Sequence, residues 1–109
     1  MPWLGIDLVE VVGDSMAPAL RPGDLVLAER LTYRVRPPRR GEVVLVADPR
    51  FPDRELIKRV AAVGDDGVDL RGENAAASTD SRTFGPVPAT SIRWRAIARS
   101  WPPRRAGWL

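Results

Sequence analysis

Two side chains of this sequence, Ser15 and Lys58, have the clearest potential for catalysis. Ser15 lies on a predicted turn in VVGDSMAPALRPGDLVLAER, residues 11–30, where Gly and Pro separate two apolar stretches. Lys58 is the single lysine among 17 basic residues, and all the others are arginines. Because arginine keeps its proton in proteins, Lys58 is the one nitrogen side chain that can become a neutral base near neutral pH.

Histidine and cysteine are absent from the sequence. Their absence excludes a Ser-His-Asp triad, thiol catalysis, disulfide bonds and any zinc site built on imidazole or thiolate. Neither a metal nor another cofactor is predicted. The net charge of +3 is modest for a chain with 28% charged residues, so the composition does not require a nucleic-acid partner.

Lys58 lies in the apolar segment ELIKRV, residues 55–60, which has the composition of a β-strand. With a two-residue period, it shares one side of the strand with three apolar residues, Leu56, Val60 and Ala62. If this side faces the core, burial lowers the pKa of Lys58 by up to about 3–5 units, which allows general-base chemistry. The alternatives are an ammonium that reaches solvent along its aliphatic stem, or an ion pair with Glu42 or Glu55.

The ordinary role of Ser15 would be structural. Either Ser15 or Asp14 is suited to cap a short helical turn from Met16 to Leu20. The segment alone is therefore weak evidence for a nucleophile. A catalytic role for Ser15 depends on whether the fold brings it to Lys58.

The elements that must position these residues are predicted to be β-strands. Eleven prolines and nine glycines divide the chain into short apolar segments. The candidate strands are Ile6 to Val12, Leu25 to Glu29, Glu42 to Ala47, Glu55 to Val63, Gly67 to Leu70 and Ile92 to Arg99. A chain of 109 residues with these strands predicts an all-β fold, a small barrel or sandwich formed by a single domain with its core at residues 6–100.

Two long loops interrupt this pattern. Thr32 to Arg40 is rich in Arg and Pro, and Ala75 to Pro88 is polar and then punctuated by Pro. Polar loops of this length in a small domain are usually functional or disordered. The tail at 101–109 mixes Pro, Arg and Trp, which predicts either a frayed end or an interfacial contact through Trp101 and Trp108.

The sequence carries no signal for membrane insertion. No apolar run approaches the roughly 20 residues needed to cross a bilayer. Residues Met1 to Asp7 lack the basic and apolar regions of a secretory signal. The chain as written is expected to be soluble and cytoplasmic.

Three further blocks of the sequence bear on function. They are GDSMAP at 13–18 with Leu20 and Gly23-Asp24, KRV at 58–60 with Gly64-Asp65, and GENAAASTDSRTFGPVP at 72–88. Together and in this order, they resemble the signal peptidase I family of serine proteases. The resemblance implies an all-β scaffold of the signal peptidase and LexA-like type that carries a Ser nucleophile and a Lys general base. On these motifs, Ser15 is the expected nucleophile and Lys58 the expected base.

The same resemblance implies supporting residues. Ser78 corresponds to a second serine that orients the Lys amine, and Asp80 and Arg82 correspond to a charged pair that supports the site. Further support is expected from other residues of the matched blocks, namely Gly13, Asp14, Met16 and Arg59. Glu73 stands where the family usually has Asp.

The resemblance also bears on the oxyanion hole. Its expected donor is the backbone N–H of Ser15. Some relatives add a hydroxyl side chain two residues before the nucleophile, where this sequence has Gly13. Gly13 cannot donate from a side chain, so backbone amides or another hydroxyl must serve.

The size of the chain narrows the resemblance further. Only Gly64 to Arg71 separates the second and third blocks, so the extra β-subdomain of larger signal peptidases is missing, and no N-terminal anchor helix is predicted. A minimal core of this kind resembles the small proteases that mature nickel-type superoxide dismutase. Its expected partner is a protein precursor with an N-terminal extension.

Three alternatives stay open. The first is a signal peptidase I that processes exported preproteins, associated with the membrane through an anchor outside this chain or peripherally through the Trp and Arg tail. The second is a LexA-like self-cleaving domain, which is disfavoured because too few residues precede Ser15 for the usual helix-turn-helix. The third is a nucleic-acid-binding module that uses arginines of the last strand and tail, Arg93, Arg95, Arg99, Arg104 and Arg105.

Overall fold

The computed structural model describes residues 5–109, and its main element is a seven-stranded sheet. The strands are β1 (Ile6–Glu10), β2 (Leu25–Glu29), β3 (Val43–Ala47), β4 (Glu55–Gly64), β5 (Gly67–Arg71), β6 (Trp94–Trp101) and β7 (Gly107–Trp108). The predicted strands correspond to β1 to β6, with small differences at their ends. The prediction of a small all-β fold is therefore confirmed, while β7 is an addition.

The sheet is antiparallel throughout and open. Its order is β1-β2-β6-β3-β4-β5, and β7 pairs with β6 outside this path. The end strands β1 and β5 are not paired with each other, so the sheet does not close into a barrel. A short bridge between Val68 and Val87 covers part of the β5 edge, which protects that edge from pairing with another chain.

The core consists of two clusters of buried aliphatic side chains. The larger lies on β3, β4 and β5, and the smaller joins β2, β3 and β6 to the segment after β1 through Val11, Met16 and Leu20. Along β4, Leu56, Lys58 and Val60 are buried, as the two-residue period predicts. Ala62 is exposed, and its prediction as part of this face was wrong, because the register between β4 and β5 shifts after Val60.

The helices are single turns within the two predicted loops. They are α1 (Thr32–Val35) and α2 (Ser81–Phe84), with 3₁₀ turns at Ala75–Ala77, Ala89–Ser91 and Pro103–Arg105. The segment from Met16 to Leu20 forms turns rather than a helix, closed by a bond from the Leu20 N–H to the Met16 carbonyl. The expected cap by Ser15 or Asp14 therefore has no helix to act on.

The tail is attached to the sheet rather than frayed. β7 pairs with β6, and the Arg105 guanidinium donates to Asp24 Oδ1 at 3.0 Å. Trp101 and Trp108 are 54% and 85% exposed. Within residues 5–109 we find no helix with the length and hydropathy needed to span a bilayer. Residues 1–4, part of the segment in which no signal peptide is predicted, lie outside the described range.

Candidate active site

Lys58 lies at the centre of β4 with its side chain directed into the fold. It is only 2% exposed, and Nζ donates a hydrogen bond to Ser78 Oγ at 3.0 Å. Within the described residues, no carboxylate lies within ion-pair distance of Lys58; Glu42 instead pairs with Arg36 at 2.6 Å and with Arg95 at 3.1 Å. Neither alternative for a lone lysine, an exposed head or an ion pair, fits this environment.

The surroundings of Lys58 favour the neutral amine. Burial lowers the pKa of Lys58 below its ordinary value, since the charged form loses its hydration. The negative charge of Asp80 opposes this effect, and the positive charges of Arg54 and Arg82 add to it. The result is an amine that releases its proton more readily than a lysine in water.

Ser78 connects Lys58 to a buried carboxylate. Its Oγ donates to Asp80 Oδ2 at 2.7 Å, and Asp80 also accepts from the Gly72 N–H at 2.9 Å. The Arg82 guanidinium donates to both oxygens of Asp80, at 2.6 Å and 3.0 Å, and the Asp80 carboxylate also accepts from the Arg82 backbone N–H, which caps the start of α2. Burial opposes ionisation of Asp80, but these bonds outweigh it and hold the pKa of Asp80 well below its usual range.

The direction of these hydrogen bonds follows from the charge on Asp80. An ionised carboxylate only accepts, so the single hydroxyl proton of Ser78 points to Asp80. The remaining capacity of Ser78 Oγ is as an acceptor, and it accepts from Lys58 Nζ. In the neutral amine, the lone pair then points away from Ser78, which leaves it free to take a proton from a different group.

Ser15 lies in the turn that follows β1 and is partly buried. The next residue, Met16, is 1% exposed and fixes the turn in the core. Gly13 has a φ of 81°, a left-handed conformation that favours glycine at this position. Ser15 and Lys58 both line a cleft of about 400 Å³, which also contains Asp14, Arg54 and Glu55. No hydrogen bond joins the two side chains directly, among the bonds of the described residues.

Gly72 brings the Ser15 and Ser78 segments close together. A Cβ at this position would lie 2.3 Å from Ser78 Oγ and 2.6 Å from the carbonyl oxygen of Ser15. The same Ser15 carbonyl accepts from the Asn74 N–H at 2.8 Å. Gly72 could not be singled out from the sequence, because its importance lies in the absence of a side chain.

Arg59 and Glu73 hold the strand that carries Lys58 against the segment that carries Gly72. The Arg59 guanidinium donates to Glu73 Oε1 at 2.7 Å and to the Gly41 carbonyl at 2.8 Å. Glu73, at the position where the family usually has Asp, therefore forms an ion pair with Arg59.

Several of the arginines considered for nucleic-acid binding form ion pairs within the fold. Arg95 pairs with Glu42, and both Arg99 and Arg105 pair with Asp24, at 3.8 Å and 3.0 Å. Arg99 also donates to the Ala19 and Arg105 carbonyls. Their charges are largely satisfied within the chain, which weakens that alternative.

This open antiparallel sheet, with a buried lysine and a turn serine on one cleft, has the architecture of a peptidase. The family model "Signal peptidase, peptidase S26" matches residues 4–73, and the chain belongs to this peptidase family.

Curated relatives agree with this assignment. The mitochondrial ATP-independent inner membrane protease subunit 1a of Arabidopsis thaliana is 39% identical over an alignment that covers 95% of this chain and 76% of the relative. The mitochondrial inner membrane protease subunit 1 of Homo sapiens is 32% identical over 89% of this chain and 70% of the relative. The mitochondrial inner membrane protease subunit 2 of Danio rerio is 31% identical over 90% of this chain and 66% of the relative.

These relatives change two expectations. The expected cytoplasmic location is wrong, since the relatives are inner membrane protease subunits and point to an association with a membrane. The expected likeness to nickel superoxide dismutase maturation proteases is not supported, because the relatives favour the signal peptidase alternative.

Proposed function

We propose that this chain is a Ser-Lys endopeptidase of the signal peptidase type that removes an N-terminal segment from precursor proteins at a membrane. The observation that carries the proposal is the buried Lys58, held by Ser78 in the cleft it shares with Ser15. The family match and the membrane protease relatives support the reaction class and the location. Maturation of a nickel superoxide dismutase precursor is the narrower alternative.

The proposed reaction begins with proton transfer. The neutral amine of Lys58 takes the hydroxyl proton of Ser15 as Ser15 Oγ attacks the scissile carbonyl. The Ser15 backbone N–H stabilises the oxyanion, since Gly13 offers no side-chain donor. The Lys58 ammonium then protonates the leaving amine, and the peptide C–N bond breaks to give an acyl-enzyme. Water, deprotonated by Lys58, hydrolyses this ester and releases Ser15.

Replacing Ser15 with Ala is the direct test. We expect wild-type protein to cut an exported preprotein in the presence of lipid vesicles, and Ser15→Ala to lose about 10⁴-fold or more in kcat/KM. The matched control is Ser100→Ala, an exposed serine outside the cleft, which should cleave normally. Mass spectrometry of the products locates the cut.

Two outcomes would count against the proposal. Cleavage that persists in Ser15→Ala would rule out Ser15 as the nucleophile. A wild-type protein that cuts only the nickel superoxide dismutase precursor would favour the narrower alternative instead.

The charge of Asp80 should appear in the pH dependence. Lys58 must be neutral to act, so kcat/KM rises as the pH passes upward through its pKa. Asp80→Asn removes the charge that raises this pKa and leaves that of Arg82, which lowers it. We expect the rising limb to move to lower pH, with a lower maximal rate.

The control for this measurement is Asp66→Asn, which removes an exposed carboxylate in the turn between β4 and β5, outside the cleft. Its pH profile should match that of the wild type. If the rate falls in Asp80→Asn but the rising limb of the pH profile stays at the same pH, Asp80 acts only by supporting the fold.

A further inference from the structure

A second cavity lies apart from the proposed catalytic cleft. Its volume is about 650 Å³, compared with about 400 Å³ for the cleft, and no residue lines both. It lies between the α1 region with the prolines that follow and the segment that leads into β6. This is the Arg- and Pro-rich loop of the sequence, for which the proposed protease chemistry has no use.

The cavity combines an apolar lining with arginines. Tyr33 and Val35 contribute apolar surface, whereas Ile92, also in the lining, is only 2% exposed. The charged members of the lining are all basic, namely Arg30, Arg34, Arg36 and Arg93. No carboxylate side chain belongs to the described lining, so the cavity presents cations around an apolar base.

Most of this positive charge is not neutralised within the chain. Arg36 pairs with Glu42 at 2.6 Å, whereas Arg30, Arg34 and Arg93 form no ion pair within the part of the chain that the structure describes. Arg30 lies over the Trp94 ring at 5.7 Å, which holds it in place without cancelling its charge.

The nearby acids are occupied by internal bonds. Glu29 accepts from the Leu31 and Thr32 N–H groups at 2.7 Å and 2.8 Å. Glu42 accepts from Tyr33, from Arg36 and from the Arg39 N–H. These bonds shape the loop around α1, and among the described residues they leave Arg30, Arg34 and Arg93 without a carboxylate partner.

The lining of the cavity also includes an exposed aliphatic group. Val35 of α1 is 86% exposed. Arginine, tyrosine and aliphatic side chains without carboxylates are the composition of protein-binding surfaces rather than of ordinary solvent-exposed loops.

We propose that this cavity binds an acidic, leucine-bearing peptide segment of a partner protein. Carboxylates of the segment would pair with Arg30, Arg34 and Arg93, and its aliphatic side chains would pack on Tyr33 and Val35. The concave shape favours a segment over a flat bilayer. The exposed Trp101, the better membrane anchor, lies at the other end of β6, about 23 Å from Trp94.

The test is fluorescence anisotropy with a labelled peptide of alternating glutamate and leucine. We expect the double variant Arg34→Glu/Arg93→Glu to weaken binding by about tenfold or more. The matched control, Arg21→Glu/Arg104→Glu, makes the same charge change at two exposed arginines outside the cavity, and should bind as the wild type does. Cleavage is not measured, so the result is independent of the proposed protease function.

Further measurements distinguish other occupants. Binding to vesicles of anionic phospholipid and the oligomeric state of the chain are measured for the wild type and the same variants. The proposal is overturned if wild-type protein does not bind the peptide, or if both double variants lose affinity equally. It is equally overturned if Arg34 and Arg93 control vesicle binding or self-association while the peptide fails to compete.

Discussion

Replacing Lys58 with Met is expected to abolish cleavage and at the same time to stabilise the fold. Met fills a similar volume in the buried site but has no amine, so kcat/KM should fall by about 10⁴-fold or more. The stabilisation follows from the lowered pKa of Lys58, because burial of the ammonium costs free energy that a thioether does not.

The gain in stability should depend on pH in a defined direction. Because the folded protein holds this proton less tightly than the unfolded chain, the penalty is absent above the ordinary pKa of lysine. It grows as the pH falls toward the folded pKa, by about 1.4 kcal/mol for each pH unit by which that pKa is lowered. Urea unfolding at neutral pH and near pH 10.5 should therefore show a larger gain for Lys58→Met at neutral pH.

Lys58→Arg is the control for this pair of effects. Arginine keeps its proton, so this variant should be as inactive as Lys58→Met but less stable than the wild type. Full activity in either variant would exclude Lys58 as the base. Destabilisation by Met at neutral pH would show that the ammonium is well solvated.

Replacing Gly72 with Ala is expected to inactivate the protein although every proposed catalytic group is retained. The added Cβ would overlap Ser78 Oγ and the Ser15 carbonyl, so one or both must move. A displacement of about 1 Å at such a site costs about 100-fold in rate. Overpacking should also lower the free energy of unfolding by about 1–3 kcal/mol.

Gly64→Ala is the matched control, since a Cβ at Gly64 would meet no atom within 4 Å. Both variants are compared by kcat/KM and by thermal unfolding. Equal activity of Gly72→Ala and the wild type would mean that the spacing of the Ser15 and Ser78 segments is unimportant for cleavage.

Local patterns were sufficient to predict most of the sheet. Alternation and turn residues indicated the strands, and the same alternation places Lys58 on the buried side with Leu56 and Val60. The pattern failed at Ala62, because a shift in register depends on how two strands pair and not on the residues of one.

The long-range contacts could not be predicted from the sequence. β7 has only two residues, and the contact that fixes the tail joins Arg105 to Asp24, far apart along the chain. The packing of Gly72 against Ser15 and Ser78 is likewise a property of the folded backbone. Composition and alternation indicated Lys58 as a candidate base, whereas the pairing with Ser15 and the role of Ser78 were indicated only by resemblance, and the contacts had to come from the structure.

The bond from Ser78 to Asp80 has a consequence for the fate of the proton during catalysis. Asp80 holds its negative charge far below neutral pH, so it is a poor destination for a proton that Lys58 has just acquired. The Ser78 hydroxyl already donates its proton to Asp80, so it provides no route by which the Lys58 proton could move toward the interior. In the proposed reaction, the proton therefore stays on Lys58 rather than moving to Asp80, and the departing amine can take it up there.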